Sequence, residues 1–175
     1  MKFSTLYLTS LSFLPSFIAA AAVPDALPGS EEASTLGKRG PEVNYISNCN
    51  RRNGAGSYPA SYIAWYANQD NSQDGQWADS LSNEYRNWAN GGTHLDWTQP
   101  QSIHFPDSGI NVNTNLESWA WSASVGSYAG TATRTSDGKV FTCYRDTDRQ
   151  LFYRAPPVPD GTNLGIQCFA AFYCN

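Results

Sequence analysis

The hydrophobic positions of this chain follow two rhythms, and the change between them falls near Gly92. Over residues 77–92, Trp77, Leu81, Tyr85 and Trp88 recur at three- and four-residue spacing. At about 100° per residue they lie on one helical stripe about 80° wide, with Asp79, Ser82, Asn83, Arg86, Asn87 and Asn90 on the other side. Asp79 or Ser80 supplies a cap and Gly91-Gly92 a left-handed stop. The pattern predicts an amphipathic helix that buries its aromatic face against a sheet or a second helix. Over residues 60–69, Ala60, Ile63, Tyr66 and Ala67 also fit a helix face, although Tyr62, Ala64 and Tyr66 alternate. Pro59 at a first-turn position and the length of the run favour a helix. The polar cluster at 70–75 then joins two helices into a hairpin.

Beyond Gly92 the period becomes two. Residues 93–97 and 101–105 read as short strands around Thr98-Gln99-Pro100, 106–109 as a turn, and 110–115 as a further strand. Residues 118–134 form a long strand region rich in small residues, with Trp119, Trp121 and Val125 near its start and a break marked by Gly126 and Gly130. Ser136-Asp137-Gly138 is a hairpin signal into 140–145, 146–149 a turn into 150–154, 155–161 a proline-stiffened loop, and 165–174 the last strand. Residues 40–56 are polar and read as irregular. The expected fold is α+β, with one or two N-terminal helices packed on an antiparallel sheet.

The N-terminal stretch reads as an address. Lys2 precedes an apolar run, residues 6–22, that closes in Ala19-Ala20-Ala21-Ala22, as a secretory signal does. Residues 23–39 lack apolar periodicity, carry Pro, Gly, Ser and acidic residues, and end in Lys38-Arg39. This layout resembles that of small secreted fungal proteins, effector- or toxin-like, whose pro-segment is cut after Lys-Arg by a kexin-like protease. The resemblance implies a signal peptide at 1–22, a pro-segment at 23–39, and one mature domain at 40–175 that is secreted and acts outside the cell.

Charge and cysteines narrow the picture. The 136 residues from Gly40 onward keep eight basic and twelve acidic side chains, so the net charge of −4 persists. That balance argues against a duplex nucleic-acid partner. No second apolar segment long enough to span a membrane follows the first. Lys139 is the only lysine after Lys38, a depletion that resembles toxins crossing into a host cytosol and also fits a small polar secreted protein. All four cysteines, Cys49, Cys143, Cys168 and Cys174, lie in the mature part, which predicts two disulfides. Cys168 and Cys174 stand about 20 Å apart on an extended strand and cannot pair there. Each must reach Cys49 or Cys143. Cys143–Cys168 with Cys49–Cys174 is favoured, and the exchanged pairing stays open.

Chemistry is harder to locate. The sequence lacks a Gly-x-Ser-x-Gly elbow, a phosphate loop, a dinucleotide fingerprint and a His-Glu-x-x-His pair. His94 and Asp96 share a strand face and His104 sits on a neighbouring strand, a set that can hold a divalent metal but equally serves as surface hydrogen bonders. No cofactor is expected. His104, Glu117, Arg134 and Arg145 offer an acid, a base and charge stabilisation on strand-like segments. In that they resemble small secreted fungal ribonucleases, though no motif of that family is matched residue by residue. Glu84 borders the apolar stripe of 77–92, where a carboxyl is partly buried or bonds an indole N–H. A two-carboxylate glycosidase drawn from Glu84, Asp96, Asp107 and Glu117 lacks a known separation. Twenty of the mature residues are Trp, Tyr or Phe, so the first expectation is a monomer that binds a host or competitor protein or a glycan, with Trp97, Trp119 and Trp121 as contact residues. The alternative is a secreted hydrolase, best formed as a ribonuclease.

Overall fold

A computed structural model describes residues 41–53, 56–73, 75–156 and 164–175. The chain divides into two units, Met1–Gly37 and Lys38–Asn175, and every described residue lies in the second. The expected signal and pro-segments, with Lys38-Arg39, fall outside the described residues, as does most of the loop expected at 155–161.

Nine strands make one antiparallel sheet: β1 (Val43–Asn53), β2 (Gly56–Tyr66), β3 (Ser80–Leu81), β4 (Gln101–Phe105), β5 (Ile110–Leu116), β6 (Tyr128–Arg134), β7 (Val140–Arg145), β8 (Gln150–Arg154) and β9 (Gly165–Cys174). Their order is β3-β2-β1-β9-β7-β6-β5-β4, with β8 also paired to β9. β9 therefore joins the β1–β2 hairpin to the β4–β7 meander. The sheet curls until its two ends nearly meet, forming a near-closed barrel. The chain after β3 runs along β4 at this seam. The Asn83 N–H donates to the His104 carbonyl at 2.8 Å, the His104 N–H to the Tyr85 hydroxyl at 2.9 Å, and the Ser80 hydroxyl to Asp107 at 2.8 Å. The open edges are thereby covered.

The α+β expectation is overturned. Among the described residues 53 % are strand and 8 % helical, and the helical part consists of 3-10 turns at Gln69–Ser72, Trp88–Asn90 and Ala120–Ser122. Residues 60–66 belong to β2, where Tyr62, Ala64 and Tyr66 face one side of the sheet and Ile63 and Trp65 the other. Both faces are covered, so the run lacks a polar side and imitates a helix. Residues 77–92 are mostly irregular. Trp77 packs on Phe152 and Tyr85 joins the barrel interior, whereas Trp88 is 72 % exposed. The backbone is held instead by hydrogen bonds outward: Ser82 N–H to the Ile63 carbonyl, the Ile63 N–H to Ser82 Oγ, and an exchange between Ser61 and Tyr85. Ser and Asn side chains that compete for backbone groups disfavour a helix here. Residues 40–56, expected to be irregular, carry β1, and 93–97 form no strand beyond a bridge at Thr93.

Two cores result. Ile46, Ile63, Trp97, Ile103, Phe105, Val112, Leu116, Phe141 and Phe172 fill the barrel. On the outer face of β1 and β2, Val43, Tyr45, Tyr62, Tyr66, Leu151, Phe152 and Ile166 form a second cluster. Residues 67–73 and 75–79 help to cover it: Tyr45 and Ser72 share a hydroxyl hydrogen bond of 2.8 Å, and the Tyr66 hydroxyl donates to the Gln76 carbonyl. The turn expected at 146–149 is a bulge. β7 and β8 both run antiparallel to β9, so the strand continues in one direction past Asp148, whose φ is 57°.

The disulfides are Cys49–Cys168 and Cys143–Cys174, the exchanged pairing rather than the favoured one. The register explains it, because Cys49 lies opposite Cys168 on β1 and β9, and Cys143 opposite Cys174 on β7 and β9.

Candidate functional site

At one end of the barrel the apolar filling stops short and leaves a cleft of about 250 Å³. Three cross-strand pairs build its walls, since directly opposed residues of antiparallel strands share a face. They are Asn44 with Trp65 on β1–β2, Phe105 with Ile110 on β4–β5, and Val112 with Arg134 on β5–β6. Asp79, Ser80, Asp107 and Ser108 complete the rim along the seam.

The rim is charged and the floor is not. Glu42 accepts from Trp65 Nε1 at 3.0 Å and from Arg134 at 2.8 Å, and pairs with Lys139. Partial burial pushes the Glu42 carboxyl up, but the hydrogen bonds from Lys139, Trp65 and Arg134 outweigh it and hold the group below its ordinary value. Arg134 also donates to Asp137, a bond that raises its own pKa and draws Asp137 down to about 2. The guanidinium is therefore already partnered on two sides. Asp79 accepts from the Ala67 N–H and Asp107 from the Ser80 hydroxyl, each at 2.8 Å, which fixes one oxygen of each carboxylate. Deeper in, Asn44 is 2 % exposed and its Nδ2 has no hydrogen-bond partner. Buried amide donors are rarely left so.

The residues singled out from sequence are spread around the molecule. His104 points to the outer face of β4 and its Nδ1 meets Asn111 at 2.7 Å, whereas Arg134 faces inward at the cleft. Glu117 and Arg145 sit at the other end of the barrel, Glu117 bonded through its N–H to Ala129 and Arg145 held by Asp148 and the Ala171 carbonyl. The structure does not bring the four together. His94 is bonded to the Cys49 carbonyl and Asp96 to Thr98, and among the described residues no group of three His, Cys, Asp or Glu is placed to hold a metal. Glu84 lies off any helix, 3.3 Å from the buried Arg51 and accepting from Tyr62 at 2.9 Å. Of the four carboxylates considered for glycoside hydrolysis, Asp107 alone lines the cleft.

Trp97 is fully buried and donates to Asn48, so it is core and not a contact residue. Trp119 and Trp121 are 47 % and 40 % exposed in the loop between β5 and β6, beside Val125 and Tyr128. Trp121 rests on Phe172 under Arg145. Sequence reasoning missed Asn44, Trp65, Phe105 and Ile110 as cleft residues, and took Asp107 only as a turn residue or one of four loose carboxylates. No linear spacing links them; the alternation of Ile110 and Val112 with Asn111 and Asn113 was the one usable signal. No protein-family model, no curated protein and no solved structure matches this chain, so what the cleft takes has to be argued from its own walls.

Proposed function

We propose that this chain is an exported, effector- or toxin-like protein that acts by binding, and that its ligand enters the cleft at the barrel mouth. The observation that carries the reading is a cleft of about 250 Å³, floored by Trp65, Phe105, Ile110 and Val112 and large enough for a small molecule. Apolar walls with a few fixed polar groups are the usual composition of such sites. Two disulfides suit an oxidising compartment, and among the described residues no helix is long and apolar enough to cross a membrane. Binding is favoured over cleavage because His104 and Arg134 face opposite sides of the sheet, while Glu117 and Arg145 stand at its far end.

Two measurements test this. Expression in a secreting host should release a protein whose first residue is Gly40; retention in the cell sinks the export half. Soaking the 15N-labelled chain with a mixed set of small aromatic and aliphatic fragments should shift the Trp65 indole N–H and the Asn44 amide. If the shifts fall only at Trp119 and Trp121, the cleft is not the ligand site. RNA cleavage abolished by His104→Ala would replace binding with catalysis.

A further inference from the structure

We infer that the cleft takes a small organic ammonium compound with an apolar body. The inference rests on the cleft being a ligand site and adds the chemistry of the ligand. Charge is the first argument. Around the mouth, among the described residues, Glu42, Asp79, Asp107 and Asp137 face two cations, Arg134 and Lys139. Both cations are already engaged by Glu42, and Arg134 by Asp137 as well, so neither offers an anion a vacant partner. An anionic ligand would meet a net negative rim. Asp79 and Asp107 line the cleft and each commit one carboxylate oxygen to the protein, through Ala67 and Ser80. An ammonium group has donors for such oxygens and a charge that strengthens the bonds.

The walls exclude a polyol and set the body. Phe105 and Val112 are buried, and Trp65 and Ile110 half-buried, so hydroxyls spread around a sugar ring would lose water on that side without gaining partners. An aromatic or aliphatic body loses nothing there, and the faces of Trp65 and Phe105 also attract a cation. An apolar body inside and an ammonium at the rim is the order the walls impose.

The probe is 4-(aminomethyl)benzamide, titrated into the 15N-labelled full chain and followed at the Trp65 indole and Asn44 amide. Its comparators are the matching alcohol, 4-(hydroxymethyl)benzamide, and the matching acid, 4-carboxybenzamide. The amine should bind roughly tenfold tighter than the alcohol, the size of a charge-assisted bond over a neutral one, and the acid should not bind. Asp79→Asn with Asp107→Asn should erase the preference for the amine. Unfolding curves show whether this variant keeps the fold; if it does not, the comparator ranking on the unaltered chain decides. Equal binding of amine and alcohol, or tighter binding of the acid, overturns the ligand class while leaving the cleft as a site. Absence of any shift at the cleft with all three probes and with the fragment set overturns the cleft itself.

Discussion

Trp97 offers the sharpest test of the barrel. It is fully buried among Ile46, Ile103 and Phe172, and its indole Nε1 donates to Asn48 Oδ1 at 3.0 Å. Trp97→Phe keeps an aromatic ring but removes that donor and part of the bicyclic volume. Asn48 is half-buried, with Ser61 Oγ at 3.5 Å as a weaker donor, so losing the bond should cost about 1 kcal/mol. The unfilled volume adds about 1–2 kcal/mol, because packed interiors relax only partly. The sum is about 2–3 kcal/mol, against about 3–5 kcal/mol for Trp97→Ala. Urea unfolding with the disulfides intact reads it as a lower midpoint at constant m-value. A double-mutant cycle with Asn48→Ala should show coupling of about 1 kcal/mol between the two sites. A loss below about 0.5 kcal/mol for Trp97→Phe, the level of ordinary surface substitutions, would mean that Trp97 is not inside a barrel.

Four further outcomes follow from the geometry. Replacing both cysteines of the 119-residue Cys49–Cys168 link by Ser should cost about 5 kcal/mol, and of the 31-residue Cys143–Cys174 link about 4 kcal/mol, on the chain-entropy relation; denaturant curves that reverse the order would contradict the pairing. Glu42 has a lowered pKa when folded, so its contribution is complete above its ordinary value of 4.5 and lost as pH falls through the folded value; stability measured between pH 7 and pH 3 should fall less steeply in Glu42→Gln, and identical slopes would refute the assignment. At Gly130, with φ of 138°, an added Cβ would lie 2.5 Å from the Asn115 carbonyl oxygen and 2.6 Å from Leu116 Cα; Gly130→Ala should therefore lower stability by about 2–4 kcal/mol in thermal unfolding, and a neutral result would deny the close approach of β5 and β6. Trp88→Ala should change stability by less than about 1 kcal/mol, because the ring is largely exposed with Arg86 stacked on it; a large loss would restore the helical stripe that the spacing suggests.

How much of this could be read from the residues depends on what each strand faces. β4, β7, β8 and β9 fall where alternation and turn residues place them, with Ile103 and Phe105 inward against Ser102 and His104 outward. β1 escapes the pattern because its barrel-facing residues include Asn44 and Asn48, so polarity does not alternate with direction. β2 is covered on both faces, which removes the polar phase that separates a strand from a helix. The spacing of Trp77, Leu81, Tyr85 and Trp88 fits a helix by coincidence: Trp77 and Leu81 pack on the outer cluster, Tyr85 on the barrel interior, and Trp88 under Arg86. The glycines that end that stretch do take the left-handed conformation, Gly91 and Gly92 having φ of 70° and 77°, but they close a single 3-10 turn. The cleft was hidden for a different cause. Its lining comes from six strands and two connections, and only register brings Asn44 beside Trp65 or Val112 beside Arg134.

The central position of β9 has a consequence for the order of assembly. It follows β1, β7 and β8 in the chain yet is the partner of all three, and both disulfides end on it. During synthesis the β1–β2 hairpin and the β4–β7 meander can each form from local contacts, but β1 and β7 each keep an open edge until residues 165–174 arrive. Neither covalent link can close before that moment, and the pairing of Cys49 with Cys168 spans most of the folded domain. Non-local pairing of this kind makes folding slow. A chain interrupted before Gly165 would lack the strand between β1 and β7 and leave Cys49 and Cys143 without their partners, and would be a substrate for aggregation rather than a smaller version of the barrel.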